Sequence, residues 1–206
     1  MNPIPSIDTA DKYVSYLSRM TQGDPGRRSA LRRGLGRPVE DVAVRKAHAV
    51  VVPWLPAQPG RAVESAYYSV AALIAAQPAE RRERTPENEP ADPPVTPDGE
   101  EKPKRSTTSI GATLGIAVRD AKLNPDTVEA RLHLLCRQDV AGLHRQLPGL
   151  VRRLAAREIA PDWGRLLIDL SRWERGRDRV VKGWLQDFYR AMNSTTGDND
   201  SEGENQ

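Results

Sequence analysis

Apolar residues recur at three- and four-residue spacing along nearly all of this 206-residue chain, and no stretch alternates with period two over more than a few positions. Such spacing lays one apolar stripe on each helix and leaves no half-buried strand pattern. The first predicted helix runs from about Asp8 to Met20, with Tyr13, Leu17 and Met20 on one face and Asp8 as N-cap. Asp24 followed by Pro25 opens a short helix carrying Arg28, Leu31, Arg32, Arg33 and Leu35, which ends near Gly34 or Gly36. A third is expected from Pro38, with Glu40 and Asp41 at its positive end. Its inner face reads Val39, Val42, Ala43, Ala47, Val50, Val51 and Trp54, and Pro53 and Pro56 stop or kink it. Val63, Tyr67, Val70 and Ile74 mark a fourth.

Farther along, Ser109 caps a helix with Leu114, Val118 and Ala121 on one face, and Asn124-Pro125-Asp126 opens another bearing Val128, Leu132 and Leu135. Asp139 starts a stretch reading Leu143, Leu147, Leu150, Val151 and Leu154, which Pro148 is expected to kink or divide. Asp162 caps a helix with Trp163, Leu166, Leu167, Leu170 and Trp173, and the last helix carries Val180, Val181, Trp184, Leu185, Phe188 and Met192. The fold class is therefore all-α.

Residues 78–107 interrupt this pattern with seven prolines and only Ala79, Ala91 and Val95 as apolar residues. Nothing there can offset the entropy of ordering, and the same holds for the polar residues after Met192. The predicted organisation is a smaller N-terminal helical part over 1–77, a disordered acidic, proline-rich insert over 78–107, a C-terminal helical bundle over 108–192 and a disordered acidic tail over 193–206.

Charge separates these parts. The whole chain carries +3, the insert −2 and the tail −4, so the foldable remainder is +9. An excess of that size points to an anionic partner. Of the 31 basic residues 25 are arginine, which binds phosphate bidentately, although a GC-rich genome would produce the same bias. The beginning of the sequence has no basic and apolar leader pattern, and the longest apolar-rich stretch, Ala66 to Ala76, is too short to span a bilayer. The expectation is a cytoplasmic protein without a membrane partner.

No pattern for catalysis stands out. His48, His133 and His144 have no partner at metal spacing, Cys136 is the only cysteine, and no phosphate loop or nucleophile elbow occurs. The acids Asp169, Glu174, Asp178 and Asp187 read as solvated faces, and Gly111 and Gly115, four apart, read as a close helix contact. No catalytic residue, metal ligand or cofactor is predicted, and the chain is not expected to be an enzyme.

The arginines carry the positive signal. Arg28 and Arg32 are four apart in one short helix with only Asp24 preceding them, and such like-charge pairs cost a few tenths of a kcal/mol each without compensation. An external phosphate would relieve that repulsion. Arg28, Arg32, Arg33, Arg131, Arg137, Arg145 and Arg152 are the candidate nucleic-acid-binding residues. No aromatic residues interleave with them, so contact with the phosphate backbone fits better than base stacking. The alternative for the same residues is solvated surface.

Four places resemble the CasB family, the small subunit of the type I-E CRISPR Cascade complex. They are Ser29 to Arg33, Ser109-Ile110-Gly111 through Leu114-Gly115, and Arg131 to Leu135 continuing to Leu150-Val151-Arg152-Arg153-Leu154. The fourth is Asp162-Trp163 with Leu166, Leu167, Leu170 and Trp173, followed by Trp184 to Tyr189. Order and spacing together carry the likeness over most of residues 8–192, and the insert falls at the family's variable loop. The length of that insert and the presence of Pro148 depart from the family pattern. The resemblance implies a helical, non-catalytic RNA- and DNA-binding subunit of an antiviral surveillance complex. The implied partners are the backbone and large Cascade subunits, a second copy of the chain, the crRNA, and the target and non-target DNA strands, held around an R-loop. The alternative is a helical protein–protein scaffold without direct nucleic-acid contact.

Overall fold

The computed structural model describes residues 4–78, 107–121 and 123–194. The insert from 79 to 106 and the tail beyond 194, for which the sequence predicts disorder, lie outside the described residues. Among the described residues the chain forms nine α-helices and no strand. They are α1 (Ile7–Gly23), α2 (Pro25–Arg32), α3 (His48–Val51), α4 (Arg61–Ala75), α5 (Ile110–Arg119), α6 (Pro125–Cys136), α7 (Val140–Ala155), α8 (Trp163–Ser171) and α9 (Trp173–Asn193). Two 3-10 helices, Val42–Ala47 and Val52–Trp54, flank α3. No helix among the described residues is long and apolar enough to cross a membrane.

Side-chain caps set most of the starts. Asp24, Ser109, Asn124, Asp139 and Asp162 each accept a hydrogen bond from a backbone N–H in the first turn of the helix that follows. The first helix departs from expectation. Its cap is Ser6, whose Oγ accepts from the Thr9 N–H at 3.2 Å, and Asp8 lies in the first turn.

The segment from Pro38 to Trp54 also differs. Pro38 to Asp41 is a turn, and Asp41 caps a 3-10 helix through the Ala43 N–H at 2.8 Å. Within the 3-10 helix Val44 and Ala47, three residues apart, are buried, whereas Val42 is 67% exposed; Val50 and Val51 of α3 are buried as expected. A helical period of 3.6 therefore put the wrong valine inside.

Pro148 does not divide its helix. α7 runs unbroken from Val140 to Ala155. The proline lacks an N–H for the His144 carbonyl four residues back. Leu143, Leu147, Leu150, Val151 and Leu154 nevertheless hold one continuous buried face on the core.

One apolar cluster runs through all the helices. α8 lies at its centre, with α1 and α4 packed on it, and α4 also packs on α7. Tyr13 of α1 donates its buried hydroxyl to the Tyr67 carbonyl of α4 at 3.0 Å. α5 pairs along its length with α9. The two run parallel, since Gly111 meets Trp184 and Gly115 meets Phe188. A Cβ at Gly111 would overlap the Trp184 carbonyl, so the absence of a side chain sets the interhelical distance. Ser109 fixes the same register, donating to Oδ2 of Asp187 at 2.7 Å. As expected from their spacing, Trp163, Trp173, Trp184 and Phe188 face inward.

Candidate nucleic-acid interface

α2 is eight residues long and ends in two bases, Arg32 and the capping residue Arg33, both exposed. The chain then turns tightly, with Arg37 N–H bonded to the Gly34 carbonyl at 3.0 Å and Gly36 at a φ of 71°. That left-handed backbone suits glycine. It lets the turn lie against α7, where the Cβ position of Gly36 is 3.6 Å from Cγ of Pro148 and 3.9 Å from Cα of Arg145. The basic end of α2 and Arg145 are thus neighbours despite more than a hundred intervening residues. Arg152 lies seven residues beyond Arg145, two turns and about 10 Å along the same exposed face of α7.

The 3-10 helix Val42–Ala47 extends this patch. It packs on α2, with the Cβ position of Gly34 3.5 Å from Val44, and it carries the exposed Arg45 and Lys46. The sequence analysis did not single out these two bases, since nothing in their local spacing shows that their segment packs on α2. Arg32, Arg33, Arg45, Lys46, Arg145 and Arg152 have no carboxylate partner among the described residues. The acids beside the patch are Glu40, which is exposed, and Asp41, which is held by Arg37 at 2.9 Å. The Ala43 N–H, and then Arg37, keep the Asp41 carboxyl below its ordinary pKa.

The remaining candidates are placed differently. Arg28 turns inward, donating from Nε to the Ala75 carbonyl at 3.2 Å and from Nη2 to the Gln77 carbonyl at 3.3 Å. It closes the C-terminal end of α4 and satisfies carbonyls that the helix itself leaves open. Arg131 lies in α6 and Arg137 caps its C-terminal end. Arg131 is half-buried, and its Nε is buried without a hydrogen-bond partner among the described residues. Arg137 is the exposed C-cap of α6. Six residues separate the two, so they face different directions around the helix.

Other groups that could carry chemistry are absorbed by the fold. Cys136 is buried, and loss of solvent pushes its thiol up to about 11. His144 is buried between α7 and α4, bonded through Nδ1 to the Ser69 hydroxyl at 2.6 Å, and burial pushes its pKa down to about 4. Asp169, read from sequence as a solvated acid, is instead 1% exposed. Arg165 holds it at 2.9 Å and the Trp184 indole at 2.8 Å, while burial raises its pKa. Among the described residues no group of three or more His, Cys, Asp or Glu side chains could hold a metal ion.

Comparison with known proteins agrees with this helical, basic chain. A family model described as CRISPR-associated protein Cse2 matches residues 27–189. No curated protein matches. A solved chain described as part of a CRISPR RNA-guided surveillance complex is 37% identical, with a TM-score of 0.75 and coverage of 90% of this chain and 94% of that one. A second, from such a complex in a pre-nicking state, is 39% identical with the same TM-score and coverage. CasB of M. ruber shares the fold at 23% identity, with a TM-score of 0.62 and coverage of 88% and 93%. The chain belongs to the CasB family, whose members that family model describes as CRISPR-associated protein Cse2.

Proposed function

We propose that the chain is a non-catalytic, nucleic-acid-binding scaffold subunit of a crRNA-guided antiviral surveillance complex. In this reading it steadies the crRNA–target duplex and the displaced strand of the R-loop through arginine–phosphate contacts. The observation that carries the reading is the meeting of the α2 end with Arg145 on α7, which gathers exposed bases without carboxylate partners among the described residues. Guanidinium groups bind phosphate oxygens in pairs and neutralise the backbone without reading its sequence. R-loop formation exchanges one duplex for another of similar stability, so a few such contacts shift the balance. Family membership and the solved relatives from surveillance complexes support assembly with other Cascade subunits, and the reading adds a second copy of the chain.

The test compares the parent with Arg32→Ala/Arg33→Ala and with Arg145→Ala/Arg152→Ala. Binding of a labelled single-stranded oligonucleotide is followed by anisotropy over a range of salt. Each pair of changes should weaken binding regardless of sequence and lower the salt slope by about 0.7 per lost contact, with the melting temperature held. In the assembled complex, R-loop formation should suffer more than guide retention. Unchanged affinity and slope in both variants would favour a helical protein–protein scaffold instead.

A further inference from the structure

The junction of α8 and α9 forms a cleft of about 730 Å³ that shares no residue with the patch on α2 and α7. Five guanidinium groups line it, from Arg165, Arg172, Arg175, Arg177 and Arg179. Two are engaged by the fold. Arg165 holds Asp169, and Arg177 donates from Nε and Nη2 to the Cys136 carbonyl at 3.3 and 2.9 Å. The other three are exposed and have no hydrogen-bond or ion-pair partner among the described residues. Arg172, Arg175 and Arg179 lie on either side of Gly176, and all three line the cleft.

Three carboxylates also line the cleft, and they do not cancel this charge. Asp169 is held by Arg165 and the Trp184 indole and also feels the Arg172 charge, which leaves Glu174 and Asp178 as the other acids against five arginines. Gly176 breaks α9 with φ −135° and ψ 24°, so a fresh helical stretch begins at Arg177 inside the cleft lining.

We propose that this cleft binds the sugar–phosphate backbone of a single nucleic-acid strand, as a second anion site beside the α2–α7 patch. The proposal rests on the reading of the chain as a nucleic-acid-binding subunit. Guanidinium forks match phosphate oxygens bidentately. The volume lies within the ~300–1,000 Å³ of sites that hold ligands of nucleotide size. No aromatic side chain lines the cleft, so the strand is held by its backbone and not by base stacking.

The experiment uses the full chain, a fluorescein-labelled fifteen-residue oligo-dT and a salt titration followed by anisotropy. Arg172→Gln/Arg175→Gln/Arg179→Gln should bind more weakly, with a salt slope lower by about 2, and should melt with the parent. Combining it with Arg145→Ala/Arg152→Ala should add the two losses on a logarithmic scale. Glu174→Gln/Asp178→Asn, which removes the opposing charge, should tighten binding. Unchanged affinity and slope in the folded triple variant overturn the proposal. So does a triple variant that loses a labelled oligoglutamate peptide while binding oligo-dT normally, since the cleft would then be a protein-docking site. If instead the α2–α7 variants bind as the parent does, the patch proposed above is not the binding site, while a loss in the triple variant still assigns a strand to this cleft.

Discussion

The indole N–H of Trp184 on α9 donates to Oδ2 of Asp169 on α8 at 2.8 Å, in a part of the core where each residue is 1% exposed. Burial raises the Asp169 pKa against the opposing pull of Trp184, Arg165 and Arg172, so the carboxylate depends on those partners. Trp184→Phe keeps most of the volume but removes the donor. It should lower stability by about 1–3 kcal/mol, and Trp184→Ala by about 3–5 kcal/mol, in urea unfolding. A Trp184→Phe chain as stable as the parent would show that the arginines suffice to hold Asp169.

Gly111 offers a test of the parallel contact between α5 and α9. An added methyl group would collide with the Trp184 carbonyl, which is backbone and cannot rotate away. Gly111→Ala should cost about 1–3 kcal/mol or more as the helices are forced apart. Gly149 in α7 serves as the control, because nothing lies within 4 Å of its Cβ position. Gly149→Ala should raise stability by about 0.5–1 kcal/mol through helix propensity. Thermal melts of the two variants should shift in opposite directions.

His144 gives the fold an acid-sensitive joint between α4 and α7. Its pKa falls from 6.5 to about 4 on folding, so the unfolded chain binds the proton more readily. The stability it supplies is complete above pH 6.5 and is lost as pH falls through that window toward 4. The full span is worth about 3 kcal/mol. His144→Asn retains an acceptor for Ser69 and does not titrate. It should flatten the acid limb of a stability–pH curve over that range, whereas an unchanged limb would assign acid sensitivity to other groups.

Arg28 separates fold from binding. Its guanidinium bonds the carbonyls of Ala75 and Gln77, and Arg28→Ala leaves both without that donor. Stability should fall by about 1–2 kcal/mol, while oligonucleotide affinity at a temperature where the chain is folded should stay near that of the parent. A loss of affinity without a loss of stability would return Arg28 to the binding surface.

What could be read in advance follows from range. Asp24, Ser109, Asn124 and Asp162 act on backbone groups three residues away, so local sequence reveals them. Gly111 and Gly115 announce a close contact by spacing alone, though not which helix they meet. The stretch around Val42 misled because 3-10 and α periods differ by little over a few residues, and packing on α2 decided between them. The site was less legible for the same reason. Arg28 and Arg32 look equivalent on one short helix, yet only tertiary structure places Arg28 against the end of α4. Asp169 looks like any surface acid until Trp184 and Arg165 are brought to it.

Residues 4–78 and 107–194 are held together by contacts that do not depend on a covalent link, chiefly α1 and α4 on α8, and Arg28 closes a helix of its own half. α5 is held along its length by α9. A break in the peptide between 78 and 107 would leave every described contact intact. Two separately produced fragments divided there are expected to reassemble through the contacts of α1 and α4 with α8.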